Sequence, residues 1–187
     1  MKKIFAILAS CLVMSACSLE QAKNIKDCTF AFNSVSDLMV NDISFDGKRS
    51  LRDFSTQEVA LISQGLMSDM PISFVANILI NNPNKQDAEL NMLEWTLLIK
   101  NVEVANGILD EKVEIGAQNS VSLPIEVQTN SSVLKQFSLT EIKNMIFEIS
   151  NTNKLPENSS LNVKPVIKIG KKMITVPYAF NIDLSNK

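Results

Sequence analysis

The sequence predicts an all-β protein, an antiparallel β-sandwich with two short accessory helices. Three observations carry this expectation. Apolar and polar residues alternate along about eight short segments, the period of a strand with one wet face. Asn, Asp, Gly and Pro stand between those segments, where chain reversals need them. Only two stretches carry apolar residues at intervals of three and four, and each opens on a serine with a glutamate three positions later, the spacing of a helix-capping box. Strands and helices do not alternate along the chain, which argues for two sheets packed face to face, with the helices over edges or an open end, and against a doubly wound parallel sheet.

The first segment is not part of that fold. Met1-Lys2-Lys3 is followed by an apolar run from Ile4 to Val13, about ten residues and half of what a helix needs to cross a hydrocarbon core, so it reads as an export signal. Val13-Met14-Ser15-Ala16-Cys17 resembles the bacterial lipobox, in which small residues precede a cysteine that takes a diacylglycerol and becomes the mature N-terminus. By that resemblance residues 1–16 are a lipoprotein signal peptide, Cys17 is the lipidation site, and residues 17–26 form a lipidated tether ahead of a domain spanning 27–187. A thiol suits the position because its thiolate is nucleophilic enough to take the lipid as a thioether. Ser18 resembles the residue that sorts such proteins to the outer membrane in some Gram-negative bacteria. The expected location is therefore the cell envelope, with the membrane as a partner through the anchor.

Within the domain, Cys28, Phe30 and Phe32 alternate, and Met39, Ile43 and Phe45 follow after a break at residues 33–37, predicting two strands that end at the Asp46-Gly47 turn. Ser55 and Glu58 cap a helix whose inward face is Val59, Ile62 and Leu66; Gly65 weakens its end and Pro71 stops it. Ile72, Phe74, Ala76, Ile78 and Ile80 share one face of the next strand, and Val75 and Leu79 make the other face partly apolar, as in a central strand. Asn82-Pro83-Asn84 closes it. Leu93, Trp95, Leu97 and Ile99 line another strand, and residues 102–109 form a short one bounded by Asn101 and Asn106-Gly107. Val121, Leu123, Ile125 and Val127 alternate almost perfectly with polar residues around Pro124, which assigns that strand to an edge or bulge. Ser138 and Glu141 cap the second helix, with Leu139, Ile142, Ile146 and Ile149 as its inward stripe. Two strands, 161–169 and 174–184, finish the chain around a hairpin at Gly170-Lys171-Lys172.

Composition excludes several functions. The chain has 187 residues and no histidine, which removes the usual proton shuttle near neutral pH and the commonest transition-metal ligand. With Lys2 and Lys3 gone, the rest carries a net charge of about −4 and no basic block, so nucleic acid is not an expected partner. Cys11 leaves with the signal and Cys17 is consumed by lipid; Cys28 is left alone, with no disulfide partner and no cysteine metal cluster, and its apolar neighbours make it a buried thiol.

No catalytic, cofactor-binding or metal-holding residues are assigned. Asn82-Pro83-Asn84 reads as a turn closed by its own amides, Trp95 as a core anchor. Asp87 and Glu89, and Asp110, Glu111 and Glu114, read as solvated turns without the Asp-x-Asp spacing of a calcium loop. Lys171-Lys172 reads as a wet hairpin tip.

The run from Phe74 to Asn84, then Leu90, Trp95 to Ile99, Val104-Ala105-Asn106-Gly107, Ile115-Gly116 and Val121-Ser122-Leu123-Pro124-Ile125-Glu126-Val127 resembles the type 2 late-embryogenesis-abundant domain. That family shows an apolar strand closed by Asn-Pro-Asn, an aromatic-bearing strand, a glycine turn, and a strand of the form Val-x-Leu-Pro-Val-x-Val. Trp95 departs from the tyrosine or phenylalanine common at its position, and Ala117-Gln118-Asn119 departs from the simple turn after the glycine. The resemblance implies a fibronectin type III or immunoglobulin-like sandwich, a link to desiccation and other stress, and no catalytic residues. The expected function is a non-enzymatic, membrane-anchored envelope lipoprotein that binds an envelope protein or acts in stress protection. The competing expectations are a carrier of lipid or another apolar ligand, which needs a hollow between the sheets, and a glycan- or peptide-acting enzyme, which needs two carboxylates converging in a cleft.

Overall fold

The computed structural model describes residues 24–66, 68–169 and 172–185. Its strands are β1 (Thr29–Val40), β2 (Ile43–Ser44), β3 (Pro71–Asn81), β4 (Ala88–Leu90), β5 (Met92–Ile99), β6 (Val102–Leu109), β7 (Val113–Ile115), β8 (Ser120–Asn130), β9 (Ser160–Ile169), β10 (Lys172–Thr175) and β11 (Phe180–Asp183), with helices α1 (Thr56–Leu66) and α2 (Leu139–Thr152). One antiparallel sheet has the order β2-β1-β3-β8; the other has the order β10-β9-β5-β6, with β11 also on β9. Their apolar faces meet in a sandwich, as the alternation predicts.

β3 is the central strand of the first sheet. Ile72, Phe74, Ala76, Ile78 and Ile80 all point into the core, and the strand pairs with β8 without a slip from Pro71↔Asn130 to Asn81↔Ser120. Pro124, opposite Asn77, lies on an edge strand, where one side of the backbone has no ladder to serve.

The other side of β3 differs from expectation. The two strands anticipated between residues 28 and 45 are one long strand, β1, plus the two residues of β2, and the break at 33–37 is a pair of β-bulges. Phe32, Val35, Leu38 and Val40 are the buried residues of β1. Their spacing of three, three and two is invisible to a period-2 reading. One extra residue between Phe32 and Ser34, and another between Ser36 and Met39, brings Phe32, Val35 and Val40 opposite Ile78, Ala76 and Ile72, so each bulge resets the register by one and keeps the apolar face inward. Met39, expected inward, turns to the other face and is only half-buried. The true reversal is at Asn41-Asp42, both with left-handed backbone, φ 52° and 61°, the two-residue hairpin conformation that Asn and Asp tolerate.

In the second sheet a similar tight hairpin, Lys100-Asn101 with φ 50° and 65°, joins β5 to β6. Asn106-Gly107 does not end β6, as expected, but lies within it. The last strand, expected to run unbroken over 174–184, is split: Thr175 pairs with Val166 but Phe180 with Val163. Five residues against three cannot stay in one ladder, and Pro177 sits in the excursion. β4 and β7, three residues each, form a separate ladder that no expectation included, because three residues are too short to show a period.

The sandwich closes on all sides. Phe30 of β1 meets Phe180 of β11, ring centroids 4.5 Å apart, along one flank; on the other, Thr129 Oγ1 donates to the Val104 carbonyl at 2.7 Å. At one end α2 inserts Ile142, Met145, Ile146 and Ile149 beside Leu38, Phe74 and Ile99, leaving a cavity of about 30 Å³. Leu139, expected in that stripe, is 50 % exposed; Met145 takes its place. The opposite end is sealed by Ile25, Ala88, Leu90 and Ile115, all buried. Asn24 and Ile25, expected in the tether, therefore belong to the packed domain.

Both expected helix caps form. Glu58 accepts from the Ser55 amide at 2.7 Å and Glu141 from the Ser138 amide at 2.8 Å, and a third box joins Asp53 to the amides of Arg49 and Ser50, each at 2.8 Å. The Ser55 hydroxyl, at 2.7 Å, and then its amide on Glu58, and the amides on Asp53 and Glu141, favour the ionised carboxylates and hold all three below their ordinary values. A lowered folded value means the contribution is complete above the unfolded carboxylate range and lost as pH falls through the folded values. Urea midpoints are expected to drop on acidification below about pH 4, and the drop to shrink when Asp53→Asn, Glu58→Gln and Glu141→Gln are combined. An unchanged pH profile in that triple variant would remove the caps as its cause.

Candidate functional site

The most heavily bonded polar feature on the described chain is the loop that follows β3. Asn82 is fully buried, and its side-chain Nδ2 lies 2.9, 3.0 and 3.1 Å from the carbonyls of Gln86, Ile115 and Gly116. Its Oδ1 accepts from the Asn84 amide at 3.0 Å and from Asn84 Nδ2 at 2.8 Å. Asn84 Nδ2 also donates to the Asn24 carbonyl at 3.0 Å, while Asn24 Nδ2 donates to Asp87 O at 3.0 Å. Three distant segments, the chain entrance, the loop after β3 and the turn after β7, are tied here through side-chain amides. Both polar atoms of the Asn82 side chain are thereby used, so Asn82 is a structural junction and not a ligand-binding group.

The acidic residues behave likewise. Glu89 and Glu114 face each other across the β4–β7 ladder, the one carboxylate pair of the expected set that the fold brings side by side. Lys112 lies between them, 3.2 Å from Glu89 and 2.5 Å from Glu114, and these contacts raise its own pKa. Asp87 accepts from the Ala117 amide at 2.9 Å. No group of three or more His, Cys, Asp or Glu side chains is placed to hold a metal ion among the described residues.

Trp95 points into the core and is 8 % exposed. It pairs with Gly107 on β6 and its indole lies over that glycine; a Cβ there would fall 2.6 Å from Trp95 Cζ2. Cys28 is buried, and desolvation, with the nearby Asp27 charge second, pushes its thiol up to about 11. It is a packing residue without thiolate reactivity at neutral pH.

One feature that periodicity did not indicate is an apolar slot of about 120 Å³ between the two helices, lined by Phe45, Leu51, Ile62, Ile146 and Phe147 with Lys143 at its margin. Leu51, in its lining, is 37 % exposed. Phe45, Phe54 and Phe147 form a ring cluster at its base, centroids 4.7 to 6.4 Å apart. The sequence signal was present in the three phenylalanines, but they come from a loop after β2, the approach to α1 and the flank of α2, which only folding brings together.

A family model described as late embryogenesis abundant protein, LEA_2, matches residues 77–181. The chain belongs to this family. The matched part of the LEA_2 domain runs from the middle of β3 into β11 and so contains the Asn82 junction, Trp95 with Gly107, and α2. Membership supports a non-enzymatic, stress-related protein. Among solved structures, the LEA_2 chain is similar to a protein from Archaeoglobus fulgidus (16 % identity, 83 % of this chain and 98 % of that one, TM-score 0.39). It is also similar to a protein from Arabidopsis thaliana (16 % identity, 80 % and 78 %, TM-score 0.41). A third is described as a late embryogenesis abundant protein (15 % identity, 96 % and 87 %, TM-score 0.40). No curated protein matches the chain. Of the remaining expected positions in this LEA_2 protein, Cys17 and Lys171 lie outside the described residues, and Lys172 is the exposed first residue of β10. Among the described residues no helix is long and apolar enough to cross a membrane.

Proposed function

We propose that this chain is an exported lipoprotein in which Cys17 carries the lipid and the LEA_2 sandwich works, without catalysis, at the bacterial cell envelope, on the outer membrane by the residue after the cysteine. There it binds an envelope protein or acts in stress protection. The observation that carries the reading is the succession within one short stretch of two lysines, a brief apolar run, Ser15-Ala16-Cys17 and then, at Asn24, a packed sandwich of a stress-related family. Each buried methylene of an acyl chain adds roughly 0.8 kcal/mol to membrane binding, so two or three chains hold durably where one does not.

The test is Cys17→Ala in the full-length chain. Wild type is expected in the membrane fraction with an N-terminal peptide heavier by the lipid; the variant is expected to lose both. Retention of the variant on membranes, or an unmodified Cys17 in the wild type, would end this reading.

A second reading, carriage of a small apolar ligand, is favoured by the slot between α1 and α2. The cavity under α2 is about 30 Å³ and the slot about 120 Å³, both below the several hundred Å³ of pockets that hold drug-sized ligands, so the slot has room for only part of an apolar chain. Native mass spectrometry of protein purified from membranes is expected to show an apolar adduct lost on Phe147→Asp if that reading holds; protein without adduct would count against it.

A further inference from the structure

Resting on the lipid-anchor reading just given, we propose that the molecule stands on the membrane with a defined polarity. The end built from the Asn82–Asn84 loop and the β4–β7 ladder faces the lipid surface, and the helical end, with its apolar slot, faces away.

The argument begins where the described chain starts. Asn24 is held by two amide hydrogen bonds to the Asn84 side chain and the Asp87 carbonyl, both at 3.0 Å, and the next residue, Ile25, is completely buried. The chain therefore leaves the domain at that junction. Seven residue steps separate Asn24 from Cys17, so even a fully extended connection reaches at most about 25 Å. The junction follows the last residue of β3, whereas α2 packs on Phe74 and Ile72 near its first. A strand of 11 residues puts those two ends about 34 Å apart, more than the connection can span.

Whether the domain stands or lies down then depends on adhesion, and the proximal end offers none to an anionic bilayer. Asp27, Asp87, Glu89, Asp110, Glu111 and Glu114 there outnumber Lys26, Lys85 and Lys112, and Lys112 is already spent on two of those carboxylates. The covalent connection then keeps that end at the lipid, and the slot lined by Phe45, Ile62 and Phe147 is turned away from it.

The experiment uses the full-length, lipid-bearing chain reconstituted into phosphatidylethanolamine–phosphatidylglycerol vesicles that carry a fluorescent acceptor on a fraction of the headgroups. A donor is attached by maleimide at Lys85→Cys or at Gln57→Cys, both exposed positions, one at each end. Cys17 is occupied by lipid and the buried Cys28, with its thiol pushed up to about 11, does not compete. With both variants floating with vesicles, energy transfer from position 85 is expected to exceed that from position 57 by about twofold or more, because the length of β3, about 34 Å, lies between the two ends. It should not change when the phosphatidylglycerol fraction or the salt is varied. Vesicle-bound protein with equal transfer at the two positions, or more at position 57, would overturn the polarity and leave the anchor standing. Protein that fails to float with vesicles would overturn the anchor and the polarity together.

Discussion

Replacing Asn82 with alanine is expected to lower the unfolding free energy of the domain by about 3 kcal/mol, among the largest effects of any single polar substitution in it. The reason is what the change leaves behind. With the side chain gone, the carbonyls of Gln86, Ile115 and Gly116 lose their shared donor and the Asn84 amide loses its acceptor, at a site with no solvent exposure. Each buried group left unpaired costs on the order of 1 to 3 kcal/mol, partly recovered if water enters the vacated volume. In a domain of this size such a loss corresponds to a fall in melting temperature of about 10 °C. Asn82→Asp separates shape from bonding. It keeps the volume and the oxygen that accepts from Asn84, but aims its second carboxylate oxygen at three carbonyl oxygens, so burial and that repulsion raise its folded pKa. Its destabilisation is expected to be worst at neutral pH and to ease as the pH is lowered and the acid becomes a donor. Urea titrations at pH 7 and pH 5 read both effects; two variants indistinguishable from wild type would mean that the junction is held by its backbone bonds alone.

The second large effect is expected at Gly107. Gly107→Ala places a methyl group 2.6 and 2.8 Å from Cζ2 and Cε2 of Trp95, inside van der Waals contact with a rigid ring that is itself packed in the core. A flexible side chain could yield by rotating its end; an indole has to move as a plate. The cost is expected to be about 2 kcal/mol. Because Trp95 is the sole tryptophan, its displacement reads out directly as a red shift of the emission maximum in the native state. Gly107→Ala combined with Trp95→Phe removes the overlapping part of the ring and should recover most of the loss. A destabilised double variant no better than Gly107→Ala would show that the glycine is needed for the backbone of β6 and not for the space above it.

These two positions also mark how far a linear reading reached. β3 and β8 were legible almost residue by residue, because both are straight, evenly spaced and wet on a consistent face. The helix caps were legible because a capping box is a contact between residues three apart. β1 was not: its buried residues fall at intervals of three, three and two, and only the straight ladder of β3 beside it shows that two bulges absorb the surplus. Asn106-Gly107 looked like the end of a strand because Asn-Gly usually turns; here the glycine is required by an indole from the neighbouring strand. Asn82 was recognised as a closing residue, but its use of Ile115 and Gly116, over thirty positions away, had no local sign. The slot between α1 and α2 was likewise unreadable, since each helix by itself shows an ordinary apolar stripe.

The amino-acid sequence by itself determined the class of the fold, the family, the placing of both helices and the central and edge strands, and the absence of histidine chemistry. All of these are properties of composition or of neighbours a few residues apart. Only the tertiary structure decided which bulges keep β1 in register, that Asn82 is a buried junction, that Glu89 and Glu114 are joined through Lys112, and that the chain enters the domain at the end opposite its helices. Those are contacts between segments far apart along the chain, and a period along one strand carries no information about which atoms of another strand will lie against it.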